Sequence, residues 1–131
     1  MSDFADSLNV TASAMRAQSM RLRLTAENVA NADTPGYHRK TTSFQAAYEG
    51  GRATGLVEAG PVRLDRAPLS VEYDPSNPLA DAEGNVEGSN VNLLLEVADA
   101  REAGRSYEAN LKMFEQIRSM STELMNLLRR R

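Results

Sequence analysis

The placement of the helix breakers constrains this chain more than any other feature. All five prolines lie between Pro35 and Pro78, and seven of the eight glycines lie between Gly36 and Gly88, with Gly104 the exception. Proline removes a helix hydrogen bond and clashes with the preceding turn, and glycine weakens a helix by about 1 kcal/mol relative to alanine. Long helices are therefore permitted only at the two ends, and the middle must be turns and short strands. The expected fold is mainly α: long N- and C-terminal helices pairing along their length, with a small β-hairpin and loop segment between them. The divisions fall at residues 1–34, 35–91 and 92–131.

Each end carries a helical hydrophobic pattern. Leu8, Met15, Leu22 and Val29 recur every seven residues, with the small residues Ala12, Ser19 and Ala26 four positions after the first three. That is a heptad seam of alternating large and small side chains, which permits close approach of a partner helix. It predicts a helix over about 3–32. The C-terminal line runs Val97, Ala100, Gly104, Tyr107, Leu111, Phe114, Ile117, Met120, Leu124, Leu127 and predicts a helix over about 92–128. Two steps of three in a row at Phe114, Ile117 and Met120 read as a local overwinding. Gly104 reads either as a weak point or as a place where another backbone packs. In the middle, 62–66 and 69–73 alternate apolar and polar residues across Ala67-Pro68, and so read as two strands about a turn.

Length then separates compact from extended solutions. A helix of roughly 37 residues is about 55 Å long at 1.5 Å per residue. A compact domain of this size is only about 36 Å across. Such a helix does not fit inside such a ball, so its apolar seams need partners. The same shortage of core predicts that much of the helical length stays disordered in the isolated chain until it assembles.

The sequence is poor in chemistry. There is no cysteine, and the net charge is -3, distributed without the basic clustering that a nucleic-acid partner wants. His38 is the single histidine and has no catalytic set around it. Asp81 to Asn85 lack the spacing of a calcium loop, and no phosphate-binding glycine motif occurs. Arg129, Arg130 and Arg131 complement the negative end of the last helix. Neither an enzyme nor a cofactor nor a small-molecule substrate is expected. The first residues, MSDFADSLNV, do not read as a cleavable secretory signal.

The most informative stretch is AENVANADTPGYHRK, residues 26–40. Asparagine is a poor helix-interior residue because its amide competes for backbone hydrogen bonds. Yet Asn28 and Asn31 occupy the last turns of the first helix, one turn apart, before Thr34-Pro35-Gly36 ends it. They read either as a fraying helix end or as amides held at a close-packed interface, where they would fix register.

LRLTAENVANADTPGY resembles the N-terminal signature of the bacterial flagellar axial proteins, the rod and hook family. YDPSNPLADAEGNV followed by NVN, and AGRSYEANLKMFEQIRSM, resemble the proximal-rod members of that family. The resemblance implies N- and C-terminal helices paired as a coiled coil, and stacking with copies of itself and other rod subunits into a tube around a channel. It implies a place in the periplasm-spanning basal body, next to the membrane ring and the export gate, reached by type III export without a cleaved signal peptide. It also implies an assembly interface of Leu8, Met15, Leu22, Asn28, Val29 and Asn31 on the first helix and Tyr107, Asn110, Leu111, Phe114 and Leu124 on the last. Asn28, Asn31 and Asn110 would hydrogen-bond within or between subunits. The rival reading is a helical-hairpin adaptor or export chaperone, which shares the seams and the lack of catalytic groups.

Overall fold

The computed structural model describes residues 2–130. Its elements are α1 (Ser2–Ala30), β1 (Lys40–Thr41), β2 (Phe44–Glu49), β3 (Arg52–Ala59), β4 (Arg63–Leu64), β5 (Val71–Tyr73), β6 (Asn85–Glu87) and α2 (Leu93–Arg129). Two long helices thus flank a small antiparallel β segment. They lie against each other in opposite directions: Arg21 of α1 reaches Asp99 and Glu102 of α2, and Asn28 reaches Glu96.

Both helix ends have local causes. After Ala30 the chain tightens into i to i+3 hydrogen bonds, Asn31 N–H to the Asn28 carbonyl and Thr34 N–H to the Asn31 carbonyl. Pro35 then prevents continuation. Asn92 caps α2 in an extended conformation, its side-chain oxygen accepting from the Leu94 and Leu95 amides at 3.1 and 3.4 Å. The C-terminal residue of the Arg129-Arg130-Arg131 cluster lies outside the described residues.

The middle is three separate two-stranded ladders, β1 with β4, β2 with β3 and β5 with β6. The expected pairing of 62–66 with 69–73 is therefore corrected. The Asp65 carboxylate accepts from the Ala67 amide at 2.8 Å, and the Asn90 side chain donates to the Asp65 and Ala67 carbonyls at 2.9 and 3.1 Å. These bonds wrap the chain around Asn90 instead of folding it back on itself. The β2–β3 hairpin closes on Gly50 and Gly51, with φ of 58° and 78°. Two successive positive φ values are the two-residue turn that matches strand twist, and glycine adopts them without strain. A register shift beyond Ala46 interrupts the hairpin, and the Ser13 hydroxyl of α1 accepts from the Val57 amide of β3 at 3.1 Å.

The apolar core is small. Among the described residues only Ala17, Leu24 and Ala103 are buried hydrophobics. The face of α1 turned inward is the line of Thr11, Ala17, Leu24, Thr25 and Asn28, about one residue out of phase with the Leu8, Met15, Leu22, Val29 line. On α2 the less exposed residues run Glu96, Ala100, Ala103, Tyr107, Asn110, Phe114, Ile117, Ser121 and Met125. This line keeps regular steps of three and four through Phe114 and Ile117 to Ser121, while Met120 is exposed. The less exposed line therefore does not follow the two successive steps of three. Among the described residues, nothing beyond α2's own adjoining backbone lies within 4 Å of a Cβ built on Gly104, so no other segment packs against that side.

Candidate assembly site

The two largest fully buried side chains are polar, Glu96 and Asn28. They meet where the end of α1, the start of α2 and the segment 37–40 converge. Asn28 makes every hydrogen bond its amide offers. Its Oδ1 accepts from the Tyr37 hydroxyl at 2.8 Å and the Lys40 amide at 2.9 Å, and its Nδ2 donates to the Lys40 carbonyl at 2.9 Å and Glu96 Oε2 at 3.3 Å. The side chain therefore pairs with both main-chain groups of Lys40 as a neighbouring strand would. It fastens the β1 edge to the helix.

Glu96 is closed on its other side by Arg39, whose Nε donates to Glu96 Oε1. The same guanidinium reaches Asp99 at 3.0 Å and Asp65 at 3.8 Å. Burying a carboxylate costs several kcal/mol unless a cation and hydrogen bonds compensate it, and here both do. Arg21 extends the network to Asp99 at 3.4 Å and Glu102 at 3.3 Å, and Lys40 pairs with Glu27 at 3.1 Å. These outer pairs are partly solvated and contribute little each. Burial raises the Tyr37 pKa from its ordinary value, partly offset by Lys40 and reinforced by Glu27 and Glu96.

A second layer ties the loop between the helices to this clasp. Asn90 Oδ1 accepts from the Arg39 amide at 2.6 Å, the Asn90 amide donates to the Tyr37 carbonyl at 3.3 Å, and the Gly36 amide donates to the Gly88 carbonyl at 3.0 Å. Ser89 Oγ donates to the Ala32 carbonyl. The cleft inside the clasp holds about 60 Å³, room for water and not for a metabolite. The arrangement is a fastening.

The residues expected at the assembly interface lie in several settings. Asn28 is buried in the clasp. Asn31 keeps to its own helix end, donating to the Glu27 carbonyl at 2.9 Å and accepting from the Thr34 hydroxyl at 3.1 Å. Asn110 donates to the Ser106 carbonyl of its own helix at 2.8 Å. Among the described residues the side chains of these three asparagines do not bond to one another. Leu8, Met15, Leu22, Tyr107 and Phe114 are half-buried, while Val29, Leu111 and Leu124 are exposed. Sequence reasoning missed Glu96, Arg39, Tyr37, Asn90 and Asp99. The available signal was Glu96 itself, a carboxylate one turn into a helix that opens with three leucines.

Comparison with known proteins agrees with this geometry at both ends. The family described as "Flagella basal body rod protein" matches residues 8–38, and the one described as "Flagellar basal body rod FlgEFG protein C-terminal" matches residues 82–127. The first covers most of α1 with Asn28 and Tyr37 of the clasp but stops before Arg39 and Lys40, and the second covers most of α2 with Asn90, Glu96 and Asp99. The fold and these matches define the class: a structural protein of the flagellar basal-body rod, and not an enzyme. Relatives resolve the member. The chain is 42% identical over 127 residues to the flagellar basal-body rod protein FlgC of Agrobacterium fabrum, covering 92% of this chain and 91% of that one. It is 38% identical to the FlgC of Salmonella typhimurium (91% and 93% covered) and 32% identical to that of Bacillus subtilis (92% and 95%). The chain belongs to the FlgC family of flagellar basal-body rod proteins.

Proposed function

We propose that this subunit occupies the proximal part of the rod, where copies of it and other axial subunits stack helically into a hollow drive shaft that is also an export channel. The observation that supports this most is surface. The chain exposes 9447 Å². A compact protein of 14.3 kDa exposes about 6,800 Å² by the usual scaling with mass. Large apolar side chains are exposed along the helices, including Leu94 at 78% and Leu127 at 62%. Such a surface is completed by neighbours.

On this reading residues 1–34 and 92–131 are the axial segments, and 35–91 is the linking β segment. The helices pair as a coiled coil within the tube. Leu8, Met15, Leu22, Val29, Tyr107, Leu111, Phe114 and Leu124 are buried against adjacent subunits, and Asn28, Asn31 and Asn110 hold register. The subunit spans the periplasm beside the membrane ring, having left through the type III export gate without cleavage of a signal peptide. Heterologous contacts, in which one patch meets a different patch on the next copy, produce an open helical array and not a closed ring.

Electron microscopy of hook–basal bodies from a strain lacking this chain tests the reading. The expected result is a membrane ring without a rod beyond it. Complete rods in that strain would replace the proposal with the adaptor or export-chaperone reading.

A further inference from the structure

We propose that an open basic hollow on the β1–β4 ladder receives the acidic β5–β6 hairpin of a second copy of this chain. The inference rests on the rod-subunit reading and adds one specific contact to it. The hollow holds about 700 Å³ and is lined by His38, Arg63, Leu64 and Arg66. His38 is held there by a hydrogen bond between Nδ1 and the Asp65 carbonyl at 3.0 Å. A carbonyl only accepts, so Nδ1 carries the proton. Arg63 and Arg66 take part in no ion pair among the described residues, whereas Arg21 and Arg39 each hold two or more carboxylates.

The complementary surface follows directly in sequence. No lysine or arginine occurs between Arg66 and Arg101. Glu72, Asp74, Asp81, Glu83 and Glu87 all lie on or inside the β5–β6 hairpin, and none is ion-paired among the described residues. Val71 pairs across the ladder with Glu87, and side chains of one strand alternate between faces, so Val71, Tyr73 and Glu87 share a face. Val71 and Tyr73 are 62% and 71% exposed. That face is apolar with an acidic margin, and the hollow is apolar at Leu64 with a basic margin.

Within one chain the two surfaces do not meet. No residue of the hairpin lines the hollow, and the hairpin is anchored elsewhere, by the Ser70 amide to the Ser89 carbonyl at 3.0 Å and the Gly88 amide to the Ser70 carbonyl at 2.7 Å. Two different patches that complement each other across copies make a head-to-tail contact that propagates, as a helical tube requires. Opposed charge patches also set register and exclude wrong partners, since like charges brought together repel.

The test is a charge swap in the full chain, read by rods per cell in electron micrographs. Arg63→Glu with Arg66→Glu, and separately Glu83→Arg with Glu87→Arg, should each reduce assembled rods by about tenfold or more. The four substitutions together should restore them. Because the chain has no cysteine, Arg66→Cys and Glu87→Cys variants produced together should form an inter-chain disulfide that neither forms alone in hetero-pairs. Normal rods in either charge variant, no rescue by the four substitutions, or no disulfide overturns the docking proposal. The deletion strain reads the underlying assumption separately. Rods absent there but not rescued by the swap remove only this contact, whereas complete rods there remove the rod reading with it.

Discussion

Asn28 is the residue on which the molecule is fastened. Its four hydrogen bonds join α1 to the Lys40 backbone, Tyr37 and Glu96. Asn28→Leu would leave a buried carboxylate and both Lys40 main-chain groups short of a partner, each at about 1–3 kcal/mol. Asn28→Asp would keep the two acceptor bonds but set a second carboxylate against Glu96. Both variants should lower the stability of the purified chain by about 3 kcal/mol or more, and both should abolish motility. Asn31→Leu loses one bond to its own helix and one exposed bond to Thr34, so thermal melts should place its cost within about 1 kcal/mol. Equal losses at the two positions would contradict the assignment. The sequence marked both asparagines as anomalous, because amides are poorly placed inside helices. It did not separate them, because that depends on which amide meets Glu96, 68 positions away.

Among the elements, the helices were legible and the strands only partly so. Breaker-free ends and heptad spacing located α1 and α2 to within two residues at each end. The facing side was harder, because alanine, serine and threonine line much of the inward surface while larger residues point outward. A hydrophobic pattern follows side-chain size, but here close helix approach selects small residues. The β2–β3 hairpin was not among the expected strands, although Gly50-Gly51 is its local turn signal, and β1–β4 and β5–β6 pair across intervening segments that no local signal reveals. Gly104 gives a prediction at this scale. Nothing in the chain touches its open side, so Gly104→Ala should stabilise the isolated protein by about 1 kcal/mol, seen as a rise in Tm. A fall in Tm would mean that the α2 backbone at this point is not the one described.

At the scale of the whole molecule, the chain has a well-made joint and an incomplete body. The clasp closes one end of the hairpin with satisfied polar contacts. Away from it, α2 continues through Leu124, Leu127 and Leu128 with those side chains 39–62% exposed. Local stability follows local burial, so the two ends of the molecule should open at very different free energies. The proposed rod subunit, completed by its neighbours, fits that distribution. The most direct measurement is amide hydrogen exchange along α2 in the dilute monomer and in purified rods. Protection is expected around residues 96–103 in both, with residues 118–129 exchanging freely in the monomer and becoming protected in the rod. Equal protection of 118–129 in the two states would contradict it, because the helix would then need no neighbour to complete it.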